Sequence, residues 1–287
     1  MTDDIEAARR WFAEDLRASA PIVRNGRVVE AFARVPRERF CGPAPWKVYP
    51  RRRGAPAFET PDADPRALYH DVLVVIDEAR DLNNGQPSLW AYIFDQLDLE
   101  AGEQVLQVGA GTGYYTAVLA EIVGGTGGVE AVELDPELAG RAKAALAPWP
   151  QASVVPGNGA EMTGGPSADM VIVFAGATHP ARAWLDRLAP GGRLLLPLTG
   201  GNGWGFFLLA TKTAGGFAAR SLGRCGFFPC VGARRPEEAR RLDDALEALD
   251  GKTVPAKALH LGAPAKDAAG LWFAGEDYWL SAEEVLH

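Results

Sequence analysis

Cysteine and histidine are scarce in this chain of 287 residues: three cysteines (Cys41, Cys225, Cys230) and four histidines (His70, His179, His260, His287). The cysteines make no CxxC pair and are odd in number, and the histidines do not cluster in sequence. This spacing argues against a metal site and a disulfide framework and suggests a reducing compartment. Net positive charge is lacking too, since 29 Lys and Arg against 37 Asp and Glu leave −8. Such a chain has no basic footprint for nucleic acid or an anionic membrane surface. Its one basic run, Arg51-Arg52-Arg53, reads as a solvated loop. No apolar stretch approaches the ~18 residues that a membrane span requires. The first residues, MTDDIEAARRWFAEDL, are charged and helix-like rather than a signal peptide. Internal repeats are absent. A cytoplasmic protein with neither nucleic acid nor membrane as partner is expected.

What is present is ample core material, with 47% hydrophobic and 23% charged residues. The length suits one large domain, or a core with additions, at ~100–200 residues per domain. Ile5, Ala8, Phe12 and Leu16 recur at helical spacing, and a second helix is expected over Val28 to Arg34, before Pro36. Residues 41–66 are rich in Pro, Gly and Arg and read as a long irregular segment. From residue 104 short apolar runs (QVLQV, GVEAVEL, ASVVP, DMVIVF, RLLLPL) alternate with helical stretches (YYTAVLAEIV, PELAGRAKAALA, PARAWLDRLA). That alternation specifies βαβ units and an α/β fold around a parallel sheet covered on both faces. Residues 205–211 and about 217–228 follow without a helix between them, as an antiparallel end to the sheet. The expected organisation is an N-terminal helical and loop cap (1–80), a core (81–232) and a C-terminal extension (233–287), with one charged helix and the aromatic segment GLWFAGEDYWL.

The most chemically loaded segment is VLQVGAGTGYYTAVLA, a strand, a glycine turn and a helix start. Gly109, Gly111 and Gly113 permit close backbone approach, and the helix that follows offers unpaired amide N–H groups. A tight turn needing glycines for sterics alone would look similar. The next strand, however, ends in an acid, Glu133, 20 residues after Gly113, placed to accept hydrogen bonds from ribose hydroxyls. Loop and acid together indicate an adenosine-containing ligand. The spacing is G-x-G-x-G, not the dinucleotide G-x-G-x-x-G, and Tyr114 at the helix start is expected to crowd a pyrophosphate. S-adenosylmethionine (SAM), which has no phosphates, is preferred over NAD.

An ordered set of motifs then resembles the protein-L-isoaspartate O-methyltransferase family within the Rossmann-like class I methyltransferases. It runs from about Val28 to Cys230: VPRERF (35–40), LYHDVLVVI (68–76), GQPSLWA (85–91), the glycine loop, VVPGNGAE (154–161), ADMVIVFAGATHPARAWLDRLAPGGRLLLPL (168–198) and CGFFPCVG (225–232). The resemblance implies a mostly parallel seven-stranded sheet with helices on both faces and an antiparallel terminal strand pair. It implies SAM as cofactor, held by Gln86, Val108, Gly109, Gly111, Gly113, Glu133, Leu134, Asn158 and Gly159. Asn158 stands where the family has Asp. Its amide can serve adenine as donor and acceptor, while the PGNG context also favours Asn for turn formation.

The chain departs from the family just before Gln86-Pro87. There the family carries a hydroxyl residue near the methyl donor, as in Thr-Ile-Ser-Gln-Pro, and here Gly85 occupies the serine position after Asn83-Asn84. Asn83 or Asn84 is the candidate replacement, offering an amide N–H, with Asn84 preferred; Ser88 falls after the proline and inside the helix. Asp71 and His70, in the family's Tyr-x-Asp element, are candidate bases, with a backbone hydrogen bond and an exposed or core histidine as the competing readings. His179, before Pro180 on the carboxyl side of the fourth strand, is a further base candidate or a simple helix entry. A carboxylate acceptor is already nucleophilic and needs alignment, whereas a hydroxyl or amine needs a base. The expected function is SAM-dependent methyl transfer to a carboxylate oxygen of a peptide, protein or small molecule. The alternatives are a non-catalytic SAM-binding scaffold or a methyltransferase of small-metabolite hydroxyls or amines. Weak turnover of ordinary isoaspartyl peptides, regained in Gly85→Ser, is the sequence-level expectation.

Overall fold

A computed structural model describes residues 2–19, 23–49 and 56–284. Arg51-Arg52-Arg53 and His287 therefore lie outside the described residues. The chain divides into two compact units, residues 1–102, 110–129 and 135–154 in one and 103–109, 130–134 and 155–287 in the other.

The first unit opens with α1 (Thr2–Ser19) and α2 (Gly26–Arg34). Asn25 caps α2 by accepting from the Arg27 N–H, and Val28, Val29, Ala31 and Phe32 form its buried stripe. The segment expected to be irregular contains two short strands, β1 (Lys47–Tyr49) and β2 (Phe58–Glu59). With β3 (Leu73–Asp77) and β4 (Leu82–Asn83) they build a small sheet in the order β2-β1-β3-β4. Its pairings are antiparallel. Next comes α3 (Pro87–Leu97), with Pro at its first position, where the missing N–H is no loss. An aromatic cluster binds these helices to the helix after the glycine loop. Phe32 lies 6.5, 6.2 and 6.4 Å, centroid to centroid, from Phe94, Tyr114 and Tyr115.

The βαβ region follows the sequence pattern closely. It runs β5 (Gln104–Val108), α4 (Tyr114–Val123), β6 (Gly128–Glu133), α5 (Pro136–Ala145), β7 (Ala152–Pro156), β8 (Ala168–Val173), α6 (Arg182–Arg187), β9 (Leu188–Thr199), β10 (Trp204–Thr213) and β11 (Gly216–Gly226). These seven strands are the expected core. β5 pairs with β8 and β8 with β9 in parallel, whereas β10 is antiparallel to both β9 and β11. Leucines 194, 195, 196 and 198 and Val171, Ile172 and Val173 are fully buried, which is why these strands read as unbroken apolar runs rather than as alternation.

The C-terminal extension enlarges this sheet. After α7 (Pro236–Glu247) it supplies β12 (Ala258–Leu261), β13 (Leu271–Ala274) and β14 (Tyr278–Ser281). The full order is β13-β14-β12-β11-β10-β9-β8-β5-β6-β7. Leu242 and Leu246 of α7 and Leu259, Phe273, Tyr278 and Leu280 of the new strands join one buried cluster with Leu196, Leu208 and Val171. Full burial of each such leucine contributes about 1.5–3 kcal/mol. The aromatic segment without assigned chemistry is thus the β13–β14 hairpin. Tyr278, fully buried, donates through its hydroxyl to the Thr178 carbonyl at 2.6 Å. Tyr278→Phe deletes that donor and strands a buried carbonyl. We expect a loss of about 1–2 kcal/mol in urea unfolding with unchanged m-value. A change within error would show that water replaces the bond.

Candidate functional site

In the second unit the carboxyl ends of adjacent strands converge, the edge where open α/β sheets bind ligands. The Gly109 N–H donates to the Val132 carbonyl at 2.8 Å, the Phe174 N–H to the Val108 carbonyl at 2.8 Å, and the Gly157 N–H to the Glu133 carbonyl at 2.9 Å. These bonds join the ends of β5, β6, β7 and β8. Glu133 is 8% exposed and the next side chain, Leu134, is 50% exposed, an apolar surface directly after the acid. Buried Gly159 packs on Val108, so closely that a Cβ there would fall 2.7 Å from a Val108 methyl. The indole N–H of Trp184 donates to the Gly159 carbonyl at 2.8 Å and fixes the bend from behind. Asn158 Oδ1 accepts from the Ala160 N–H at 3.1 Å, so the turn-forming reading of this residue holds; its Nδ2 packs against Gly232.

The loop from β5 to α4 has left-handed backbone at each of its three glycines, with φ of 90°, 55° and 92° at Gly109, Gly111 and Gly113. A Cβ at Gly111 would meet nothing within 4 Å, so the loop has an open side, while Gly113 abuts Ala142 and Leu146. No side chain caps the N-terminus of α4. The acid Glu133, the exposed Leu134 and the Asn158 amide thus stand at strand ends of the second unit, and from residue 110 on the left-handed loop and the bare start of α4 belong to the first. Tyr114 corrects an expectation. It is 2% exposed and turned into the aromatic core 5.8 Å from Phe40, so it does not stand as a steric block at the helix start.

The NNGQP turn belongs to the first unit, and its side chains are occupied. Asp71 caps α3: it accepts from the Ser88 N–H at 2.8 Å, the Ser88 hydroxyl at 2.7 Å and Gln86 Nε2 at 3.0 Å. Asn84 Oδ1 accepts from the Val74 N–H at 2.9 Å and from Arg37 at 3.3 Å; Asn83 Oδ1 accepts from the Gly85 N–H at 2.9 Å. His70 is exposed, and its carbonyl accepts from Arg37 and from the Val72 N–H. Asp71, Ser88, Gln86 and Asn84 therefore come together as one lattice, with His70 at its margin.

Gly85 explains itself in this setting. Its φ is +76°, and an ideal Cβ would lie 3.0 Å from Trp90 Nε1 and 3.2 Å from Tyr115 Cε2. The Tyr115 hydroxyl donates to the Gly85 carbonyl at 3.0 Å. The turn is remodelled around two aromatic rings, so a serine hydroxyl cannot simply be restored.

Sequence reasoning missed two groups. Arg37 is fully buried, donating to the carbonyls of Leu68 (2.7 Å), His70 (2.9 Å) and Val72 (2.5 Å) as well as to Asn84. Its place in VPRERF was the available signal. The other is Glu238 of α7, fully buried beside Thr178 and His179. Burial opposes its ionisation, yet hydrogen bonds from His179, the Glu276 N–H and Arg235 hold its carboxyl below the usual range. Burial pushes the thiols of Cys41 and Cys230 up to about 11, which leaves neither as a ready thiolate nucleophile. Among the described residues no group of three or more metal-ligating side chains exists.

Comparison with known proteins gives a consistent result. The model of the family protein-L-isoaspartate(D-aspartate) O-methyltransferase matches residues 59–235. A protein-L-isoaspartate O-methyltransferase of Ignicoccus hospitalis is 30% identical over 232 residues, covering 79% of this chain and 99% of that one. A solved protein-L-isoaspartate O-methyltransferase superposes with a TM-score of 0.63 at 19% identity, over 99% of this chain and 88% of that one. The corresponding protein of Plasmodium falciparum, solved with S-adenosyl-L-homocysteine, gives a TM-score of 0.60 at 17% identity, over 78% and 98%.

Placing a side chain at residue 85 tests the remodelled turn. Gly85→Ser is expected to lower stability by about 1–2 kcal/mol, the penalty for a left-handed non-glycine residue, and to leave methyl transfer unimproved. Thermal unfolding and a labelled-donor assay read both. A stable variant with raised turnover would instead mean that the lost hydroxyl is the only difference at this turn.

Proposed function

Because the chain belongs to the protein-L-isoaspartate(D-aspartate) O-methyltransferase family, and is a SAM-dependent O-methyltransferase, we propose that its methyl acceptor is a carboxylate carried by a peptide. One observation carries the choice of acceptor. The NNGQP turn presents amides and a glycine, and the carboxylate beside it, Asp71, is saturated by Ser88 and Gln86. A hydroxyl or amine acceptor would need a base there. A carboxylate does not, and requires only to be held in line with the bond that breaks.

SAM, when bound, supplies an electrophilic methyl group on a sulfonium. The residues assigned to hold it are Gly109, Gly111 and Gly113 around its amino-acid arm, Glu133 on the ribose hydroxyls, and Leu134, Asn158, Gly159 and Val108 at the adenine end. Gln86 shapes the donor side of the turn. Asp71 and Asn84 act by position: Asp71 fixes Gln86 and the start of α3, and Asn84 joins the turn to β3 through the Val74 N–H. His70 stands exposed at the margin, available to an incoming acceptor. SAM would supply the methyl group and take the departing electron pair on its sulfur, so the chain's own residues would need only to hold and align a carboxylate acceptor.

Two measurements test this. Calorimetry with S-adenosyl-L-homocysteine should show binding; its absence removes the cofactor assignment. Labelled methyl incorporated into peptide should be released as methanol by mild base, the mark of an ester, and base-stable label would place the methyl on an amine or hydroxyl. Ordinary isoaspartyl peptides are expected to turn over slowly because the turn lacks the family's serine, and turnover at the rate of a serine-containing relative would refute that.

A further inference from the structure

The bend after β7 brings two polar side chains together. The Glu161 and Met162 N–H groups both donate to the Asn158 carbonyl at 3.1 Å, so the chain makes a single helical turn here. Side chains three apart on such a turn face the same way. Both reach Gly232, where a Cβ would lie 2.6 Å from Asn158 Nδ2, 3.1 Å from Asn158 Oδ1 and 3.1 Å from Glu161 Oε1. Only a glycine leaves them this room, and its φ is +86°. Gly176 holds the segment in place: its N–H donates to the Phe228 carbonyl at 2.7 Å and its carbonyl accepts from the Cys230 N–H at 2.8 Å. All of these residues lie in the second unit, as do Val108, Glu133, Leu134 and Gly159.

The amide has only one half to offer a ligand. The Ala160 N–H, at 3.1 Å, requires an oxygen as its acceptor, so the other end of the Asn158 amide is the N–H2 group. Among the described residues neither that N–H2 nor the Glu161 carboxylate makes a hydrogen bond, and none joins the two side chains. Asn158 is half-buried and Glu161 exposed, while Gly159 and Ala160 between them are buried. The turn therefore presents a donor beside a carboxylate acceptor. An N–H2 alone would oppose the 6-amino group of a purine, which is itself a donor, and would suit a 6-oxo purine better. The amino edge of adenine places its N6–H2 donor beside a ring nitrogen that accepts, the complement of the Asn158–Glu161 pair.

We propose that Glu161 is a specificity-determining residue for the base of the cofactor, its carboxylate accepting from the 6-amino group of adenine while Asn158 Nδ2 donates to the neighbouring ring nitrogen. This rests on the assignment of Asn158 to the adenine end proposed above. With Asn at position 158, the acceptor for the amino group is supplied three residues on, from the same side of the turn. A 6-oxo purine is rejected because its oxygen meets the carboxylate, acceptor against acceptor, and its protonated ring nitrogen meets the amide, donor against donor.

Calorimetry tests this by comparing S-adenosyl-L-homocysteine with S-inosyl-L-homocysteine, in which an oxo group replaces the 6-amino group. Both are titrated into the full chain and into Glu161→Ala and Glu161→Gln, and the melting temperature of each protein is recorded. The starting protein should prefer the adenosyl compound by about tenfold or more, the discrimination of one bidentate pair. Glu161→Ala should weaken the adenosyl compound by about fivefold, leave the inosyl compound no weaker and cut the preference to about twofold. Glu161→Gln can turn either its oxygen or its nitrogen to the base, so the two compounds should bind within about threefold of each other. Equal affinity of the starting protein for both compounds overturns the proposal, as does a preference that survives unchanged in folded Glu161→Ala. An exposed side chain without a hydrogen bond leaves the melting temperature nearly unchanged when replaced. Should Glu161→Ala nevertheless fail to fold, Glu161→Gln decides alone, and an unchanged preference there overturns the proposal. Absence of adenosyl binding to the starting protein would instead strike the cofactor assignment itself.

Discussion

A guanidinium surrounded only by neutral acceptors organises the first unit. Arg37 is fully buried, and its hydrogen bonds run to three backbone carbonyls and one side-chain amide. Burying a charge this way is costly unless every contact is well formed, and a bond to a charged donor contributes about 1.5–3 kcal/mol. The carbonyls of Leu68, His70 and Val72 can converge on one cation only if the chain between them curls tightly. That curl places Asp71 over the first turn of α3, and the bond to Asn84 ties the curl to the NNGQP turn. Phe12 and Tyr114 rings, each 5.9 Å from the guanidinium carbon, supply the remaining electrostatic support. One residue from the first forty thus sets the shape of a turn nearly fifty residues away.

The second unit uses the opposite device, a buried anion. Glu238 gathers His179, Thr178, Arg235 and the Glu276 N–H, the last at 2.6 Å, and so joins helix α7 and the β13–β14 hairpin to the loop after β8. The family match ends at residue 235, where α7 is about to begin. The extension is bound into the sheet and into a polar network rather than hanging from the domain's end.

Strands β5, β6 and β8 were legible as short apolar runs followed by helical stretches, and β10 and β11 as two runs with no helix between them. The small sheet of the first unit was not. Its strands are two to five residues long and partly embedded in proline-rich chain, too short for any period to register. The residues proposed for the cofactor were read from a spacing of glycines and one acid, which are local facts. The occupancy of Asp71 was hidden because its partner, Ser88, is seventeen residues downstream, and Glu238 in PEEARRLDDALE looks like any solvated helix charge. Tyr114 was read as facing a ligand because sequence gives its position on the helix but not which way the ring turns.

The added strands also change the border of the main sheet. Without them β11, eleven residues long, would be a bare edge, a template for pairing with another chain. β12 pairs with its beginning at Phe217 and Ala218, and farther along β11 are Arg220 and Arg224, with a left-handed Gly223 between them. The new outermost strand, β13, is four residues long and breaks register between Leu271 and Phe273. Short, kinked and charge-guarded, this margin gives a neighbouring copy of the chain little to zip onto, so the extension also discourages edge-to-edge aggregation.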